Sequence, residues 1–138
     1  MLLGDGTDRV RLEKLAINAV KNEKIIFKGS ISNDLLPLYY KRCDVFVHLF
    51  PGIVFLEAMY YEKPLIGAND LPTSEIIEDG KTGFLCDPKN SNLVVKTLIK
   101  LLQDNNLQQL MGLAGKTKYE KEFSFDVFKK KLEMILCT

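Results

Sequence analysis

The sequence is poor in the residues that build redox and metal chemistry. It has three cysteines, Cys43, Cys86 and Cys137, none in a CxxC pair, and a single histidine, His48. An odd, unpatterned cysteine set excludes a disulfide framework, and one histidine cannot anchor a zinc site, so a reducing, cytoplasmic setting without a metal is expected. An excess of either charge is lacking too: 19 Lys and Arg against 18 Asp and Glu leave a net charge of +1. With no basic stripe interleaved with aromatics, nucleic acid is excluded as a partner. No apolar run approaches the roughly 20 residues that a membrane span requires, and no secretory leader is visible at Met1. The cluster Lys129-Lys130-Lys131 falls in a predicted helix with Phe125, Phe128, Leu132 and Ile135 on its apolar side. It reads as a solvated helix face rather than an anionic-surface patch.

What is present is an ordinary globular composition. Hydrophobic residues make up 46% and charged residues 27% of 138 positions, enough for one domain with a core and too few for two. Short apolar runs alternate with amphipathic segments, the pattern of an α/β fold with a mostly parallel sheet. Strands are expected at Ile25–Phe27, Val45–His48, Leu65–Ala68 and Phe84–Cys86, and Met1-Leu2-Leu3 reads as the end of a strand begun earlier. Helices are expected at Asp8–Lys21, with Leu12, Leu15, Ala16 and Ala19 on one face, at Asn33–Lys41 and at Ile53–Tyr61, each packed on the sheet. Three more, Leu93–Leu102, Leu107–Lys118 and Phe125–Leu136, follow without an intervening strand and are expected to pack over the sheet as a helical carboxyl-terminal tail. No linker divides the chain.

The segment richest in chemical meaning is Val45 to Met59, a buried strand, a Pro51-Gly52 turn and a helix carrying Glu57 two turns in. A helix that starts beyond the carboxyl end of a parallel strand presents free N–H groups, the usual phosphate position in an open α/β sheet. Gly52 lets the backbone approach such a phosphate closely. Glu57 sits among apolar residues, where a carboxylate needs partners. Sugar hydroxyls would serve, and so would a neighbouring protein segment; the residues alone leave both open. His48, at a strand end, reads as structural before it reads as a donor contact. Asp79-Gly80-Lys81-Thr82-Gly83 has the content of a turn that needs no ligand. Thr73 and Ser74 ahead of Glu75 form a helix start whose N–H groups face either solvent or a pocket.

These segments together resemble the family 4 glycosyltransferases, which combine two Rossmann-like domains in the GT-B architecture. Leu3-Gly4-Asp5-Gly6 is similar to that family's strand ending in Gly-Asp-Gly, and Ile26-Phe27-Lys28-Gly29-Ser30-Ile31 to its next strand and turn. Tyr39-Tyr40 through Asp44-Val45-Phe46-Val47, Glu57-Ala58-Met59 with Pro64-Leu65-Ile66, and Glu75-Ile76-Ile77 with Asp79 to Leu85 continue the likeness in order. The resemblance implies a Rossmann-like domain over residues 1–138, with helices on both faces of its sheet, that holds a nucleotide sugar as substrate and uses no cofactor. It implies that Glu57 hydrogen-bonds the ribose hydroxyls, that Gly52, Ile53 and Val54 lie against the sugar and diphosphate, and that Gly29 and Ile31 fall near the base. Gly4 and Gly6 would line the cleft opposite, and Thr73 and Glu75 would border the donor. Catalytic residues are not assignable from the sequence.

Two departures from the family pattern stand out. Leu49 occupies the position, eight before Glu57, where the family carries an acidic residue, and the loop from Val47 to Gly52 is shorter than usual. The family's phosphate-binding Arg and Lys precede the segment ending at Gly4, so a first strand-helix unit and an acceptor domain are expected outside these residues. The chain alone is expected to be marginally folded, self-associating and inactive, with an acceptor domain or second chain as its partner; only the full-length enzyme would touch a membrane surface. The competing readings are a truncated nucleotide-binding or partner-binding module without turnover, and a dinucleotide-binding oxidoreductase domain. The last lacks the third glycine of G-x-G-x-x-G after Gly4 and Gly6 and an acidic residue after Ile25–Phe27.

Overall fold

The computed structural model describes residues 1–136, and the third cysteine, Cys137, lies outside them. The chain divides into two compact units, residues 1–39 and the residues from Tyr40 on.

In the first unit the segments around Leu2 and Phe27 run parallel, with Leu2 N–H donating to the Ile26 carbonyl at 2.8 Å and Lys28 N–H to the Leu2 carbonyl at 2.9 Å. One more bridge follows, antiparallel between Gly4 and Gly29, and no continuous ladder forms, so the expected strands at Met1–Leu3 and Ile25–Phe27 are reduced to isolated bridges. The reason is local. Gly4 at φ +105° and Gly29 at φ +72°, two residues beyond Leu2 and Phe27, leave the extended region, so the parallel register cannot continue through them. The helix expected over Asp8–Lys21 is interrupted at Ala16 (φ −96°, ψ 15°), giving α1 (Arg9–Leu15) and α2 (Ile17–Lys21). Neither helix buries a residue, so their apolar side is not packed away as expected. The unit ends in a short helical turn at Asn33–Leu35.

The second unit carries the sheet and the core. After α3 (Leu36–Arg42), whose last residues belong to this unit, come β1 (Phe46–His48), α4 (Val54–Tyr60), β2 (Leu65–Ala68), α5 (Leu71–Ile76) and β3 (Gly83–Cys86). The strands pair in the order β1-β2-β3, all parallel, with Phe46 opposite Leu65 and Leu65 opposite Gly83. β2 is buried along its whole length. Alternation along a strand sends neighbours to opposite faces. Ile66, Phe84 and Cys86 meet Leu101 and Met111 of α6 (Ser91–Leu102) and α7 (Asn105–Lys118). Gly67 faces the other way, where an added Cβ would lie 2.6 Å from Thr73 Cγ2, 2.7 Å from Ile77 Cδ1 and 3.2 Å from the Phe55 ring. Helices therefore cover both faces, and the α/β architecture with a parallel sheet and a helical carboxyl-terminal stretch is as expected.

α7 closes on the end of α4. A Cβ on Gly112 would strike the Glu62 carbonyl, Gly115 faces the Met59 side chain, and Lys116 Nζ donates to the Tyr60 carbonyl at 2.8 Å. Glu62 itself is left-handed (φ 56°) and ends α4 with bonds from Glu62 N–H to Met59 and from Lys63 N–H to Ala58. The last helix, α8 (Phe125–Leu136), departs from expectation: it buries nothing, Val127 alone is half-buried, and Phe125, Phe128 and Ile135 face outward. Its apolar spacing made it amphipathic, and that side stays largely exposed.

Candidate functional site

The corner between β1 and α4 is built around a change of direction at Leu49. Leu49 turns inward against the cluster of Ile66, Cys86, Leu101 and Met111, while the next residues, Phe50 and Pro51, are exposed. His48 lies among rings, 5.6 Å from the centroid of Phe55 and 6.3 Å from that of Phe50. A Cβ on Gly52 would sit 3.6 Å from His48 Nε2, so the turn passes close over the imidazole. Ile53, 73% exposed, caps α4 through its backbone, and no side chain caps this end. Val54 opens the helix.

Because α4 starts at Val54, Glu57 lies in its first turn and not two turns in. An acidic group is favoured there by the unpaired N–H groups and the positive end of the helix dipole. Glu57 is half-buried and has a protein partner: the Tyr40 hydroxyl donates to Oε2 at 2.9 Å. Tyr40 is 7% exposed, stacked on Tyr61 with ring centroids 5.5 Å apart and planes 7° apart, and tilted against Phe46 at 5.5 Å. Burial, then the bond to Glu57, push its phenol well above the ordinary tyrosine range. Tyr40 is the site residue that sequence reasoning missed. Its apolar neighbours marked a helix, but nothing in their spacing indicated a carboxylate seventeen residues on.

At the end of β2, the helix start differs from that expected at Thr73 and Ser74. α5 begins at Leu71, capped by Asp70, whose Oδ1 accepts from Thr73 N–H at 2.8 Å, with Pro72 in the first turn. Asp70-Leu71-Pro72 carried that signal in the sequence. Thr73 is fully buried and packs toward Gly67, as Phe55 of α4 does; Thr73 Oγ1 has no hydrogen-bond partner among the described residues. Glu75 is exposed. Thus Gly52, Ile53, Val54 and Glu57 share the β1–α4 corner, and Thr73 lies beside the same helix through Gly67. In the following turn, Asp79 Oδ1 accepts from Leu85 N–H, Thr82 Oγ1 accepts from Glu78 N–H, and Gly80 takes φ +74°. Its polar groups are satisfied from within.

The first unit has its own organisation. Gly4 N–H donates to the Gly29 carbonyl at 2.8 Å, and Gly6 N–H to Asp5 Oδ1 at 2.9 Å. Around Gly4 and Gly6 the space is open, whereas a Cβ on the buried Gly29 would meet Arg9 Nη1 at 2.9 Å. Arg9 ties this unit together, bonding Glu13 Oε1 at 2.8 Å and the Phe27 carbonyl at 3.4 Å and pairing with Asp5 at 3.5 Å. Ile31 is half-buried. Among the described residues no three His, Cys, Asp or Glu side chains gather as metal ligands, and no helix is long and apolar enough to cross a membrane.

The family described as "Glycosyl transferases group 1" matches residues 1–118. Over 145 residues the chain is 28% identical to the GDP-mannose-dependent alpha-(1-6)-phosphatidylinositol monomannoside mannosyltransferase of Mycobacterium tuberculosis, covering 96% of this chain and 37% of that protein. It is 40% identical over 81 residues to the alpha-1,3/1,6-mannosyltransferase ALG2 of Mus musculus, covering 59% of this chain and 19% of that one. Sucrose-phosphate synthase from Thermosynechococcus elongatus superposes with a TM-score of 0.83 at 23% identity, over 96% of this chain and 34% of its own, a likeness of fold. The chain therefore spans little more than a third of the mycobacterial relative's length.

Proposed function

Because this chain belongs to the group 1 glycosyl transferases, we propose that residues 1–138 are the donor-binding domain of a longer, retaining glycosyltransferase that takes a nucleoside diphosphate sugar. The observation that carries the reading is Glu57, a carboxylate in the first turn of α4 beyond the carboxyl end of β1, with one oxygen held and the other without a hydrogen bond among the described residues. In this reading Glu57 accepts from the ribose hydroxyls, and the backbone of Gly52, Ile53 and Val54 receives the diphosphate and sugar. Glu75, exposed on α5, borders the donor, whereas Thr73 is buried behind it with its N–H held by Asp70.

The donor we favour is GDP-mannose, for which the mycobacterial relative is named. Its sugar is α-linked to phosphate, so forming an α-mannoside from it retains configuration. The bond from the anomeric carbon to the diphosphate oxygen breaks, an acceptor hydroxyl oxygen bonds to that carbon, and its proton leaves with the GDP. The acceptor wall is assigned to another domain or chain, so these residues alone bind donor without turnover. No metal is invoked.

Titration calorimetry with GDP and GDP-mannose, with and without a chelator, tests this. Binding is expected to be unaffected by the chelator and weaker in Glu57→Gln by about 1–2 kcal/mol, the loss of charge-assisted bonds. Equal affinity of the two proteins removes Glu57 from the site. Leu49 favours a second reading, a module that binds nucleotide without catalysis, because the position where the family carries an acid is here an apolar side chain packed against the core. Absence of transfer after joining the chain to an acceptor domain, with nucleotide binding intact, selects that reading.

A further inference from the structure

We propose that Tyr40 is a positioning residue for the donor site: its hydroxyl fixes Glu57 so that one carboxylate oxygen is aimed and left open for the nucleotide, and Tyr40 thereby sets nucleotide affinity without touching the ligand. The proposal rests on the assignment of Glu57 to the ribose.

The geometry is specific. The Tyr40 hydroxyl donates to Glu57 Oε2 at 2.9 Å. The ring has little room to turn, being stacked on Tyr61, tilted against Phe46, and 7% exposed. Its backbone is tied as well, since the Tyr40 carbonyl accepts from the Cys43 thiol at 3.4 Å. A glutamate has three side-chain torsions, and fixing such a chain costs conformational entropy. Tyr40 meets that cost in the free protein, so the nucleotide does not have to. One phenol supplies one donor, and it is spent on Oε2; Oε1 keeps its acceptor capacity. A ribose diol presents donors of the kind that oxygen lacks.

A structural role for Tyr40 makes a different prediction. Tyr40→Phe keeps the ring, its stack on Tyr61 and its burial, and removes only the donor. GDP is titrated calorimetrically into the wild-type chain, Tyr40→Phe, Glu57→Gln and the double variant. The expected result is an affinity about three- to tenfold weaker for Tyr40→Phe, the scale of one hydrogen bond, and no further loss when Tyr40→Phe is added to Glu57→Gln. Near-ultraviolet circular dichroism should show the aromatic packing unchanged. Wild-type affinity in Tyr40→Phe, or an equal loss in the Glu57→Gln background, overturns the positioning role while leaving the donor site standing. A wild-type chain that binds no GDP overturns the donor-site assignment and the positioning role with it.

Discussion

Residues 1–39 and the residues from Tyr40 on follow one sequence plan, short apolar runs alternating with amphipathic helices, yet they are held by different forces. In the second unit β2 has a partner on each side and helices on both faces, and Phe55, Met59, Leu65, Ile66 and Leu101 are fully buried. In the first, the helices bury nothing, and cohesion comes from a few backbone bonds and the reach of Arg9 to Glu13, Asp5 and Phe27. In this chain the amphipathic pattern forms a core in the unit whose three-stranded sheet receives it, and not in the unit without one. The contrast also shows why Glu57 is well held: its helix, α4, stands on the packed unit.

The largest expected effect breaks the packed unit. Phe55→Ala should cost about 3–5 kcal/mol in urea denaturation, whereas Leu15→Ala, at a site 72% exposed, should change stability by less than about 0.5 kcal/mol. Similar costs at both positions would abolish the distinction between the units.

A smaller effect comes from a matched pair. Glu23 and Glu62 both have φ 56° and both close a helix with the same two-bond pattern: Glu23 N–H to Val20 and Lys24 N–H to Ala19 in one, Glu62 N–H to Met59 and Lys63 N–H to Ala58 in the other. Glycine removes the left-handed penalty at such a position. Glu62→Gly should raise global stability by about 1 kcal/mol, while Glu23→Gly should only slow hydrogen exchange locally at Lys24 and Ile25, if the first unit opens independently. A global gain from Glu23→Gly would show the two units unfolding together.

The smallest effect is electrostatic. Hydrogen bonds from Lys81 and Lys118 hold the Glu78 carboxyl below the usual range. A carboxyl whose folded pKa lies below its unfolded value stabilises the protein above that unfolded value, and the contribution is lost as pH falls through the folded one. Glu78→Gln should therefore lower stability at neutral pH and reduce the acid-side slope. Solvent screening of this partly exposed carboxylate limits the change to about 0.5 kcal/mol. Stability curves from neutral to acid pH that coincide for the two proteins would remove the pair from the packed unit's support.

The sequence by itself determined the elements that local chemistry controls. Apolar runs with turn residues at their ends marked Phe46–His48, Leu65–Ala68 and Gly83–Cys86 to within a residue, and spacings of three and four marked α4, α6 and α7. The position of Glu57 after the Pro51-Gly52 turn was legible for the same reason. Tertiary structure decided the rest. Whether Leu2 and Phe27 extend into a sheet depended on the conformations of Gly4 and Gly29, and the outward stripe of α8 depended on what lies opposite it. The Tyr40–Glu57 bond joins residues seventeen positions apart, which no local spacing brings together. A residue pattern fixes which side of an element is apolar and which groups need partners. The identity of the partner is set by contacts between residues distant in sequence, and these exist only after the chain has closed on itself.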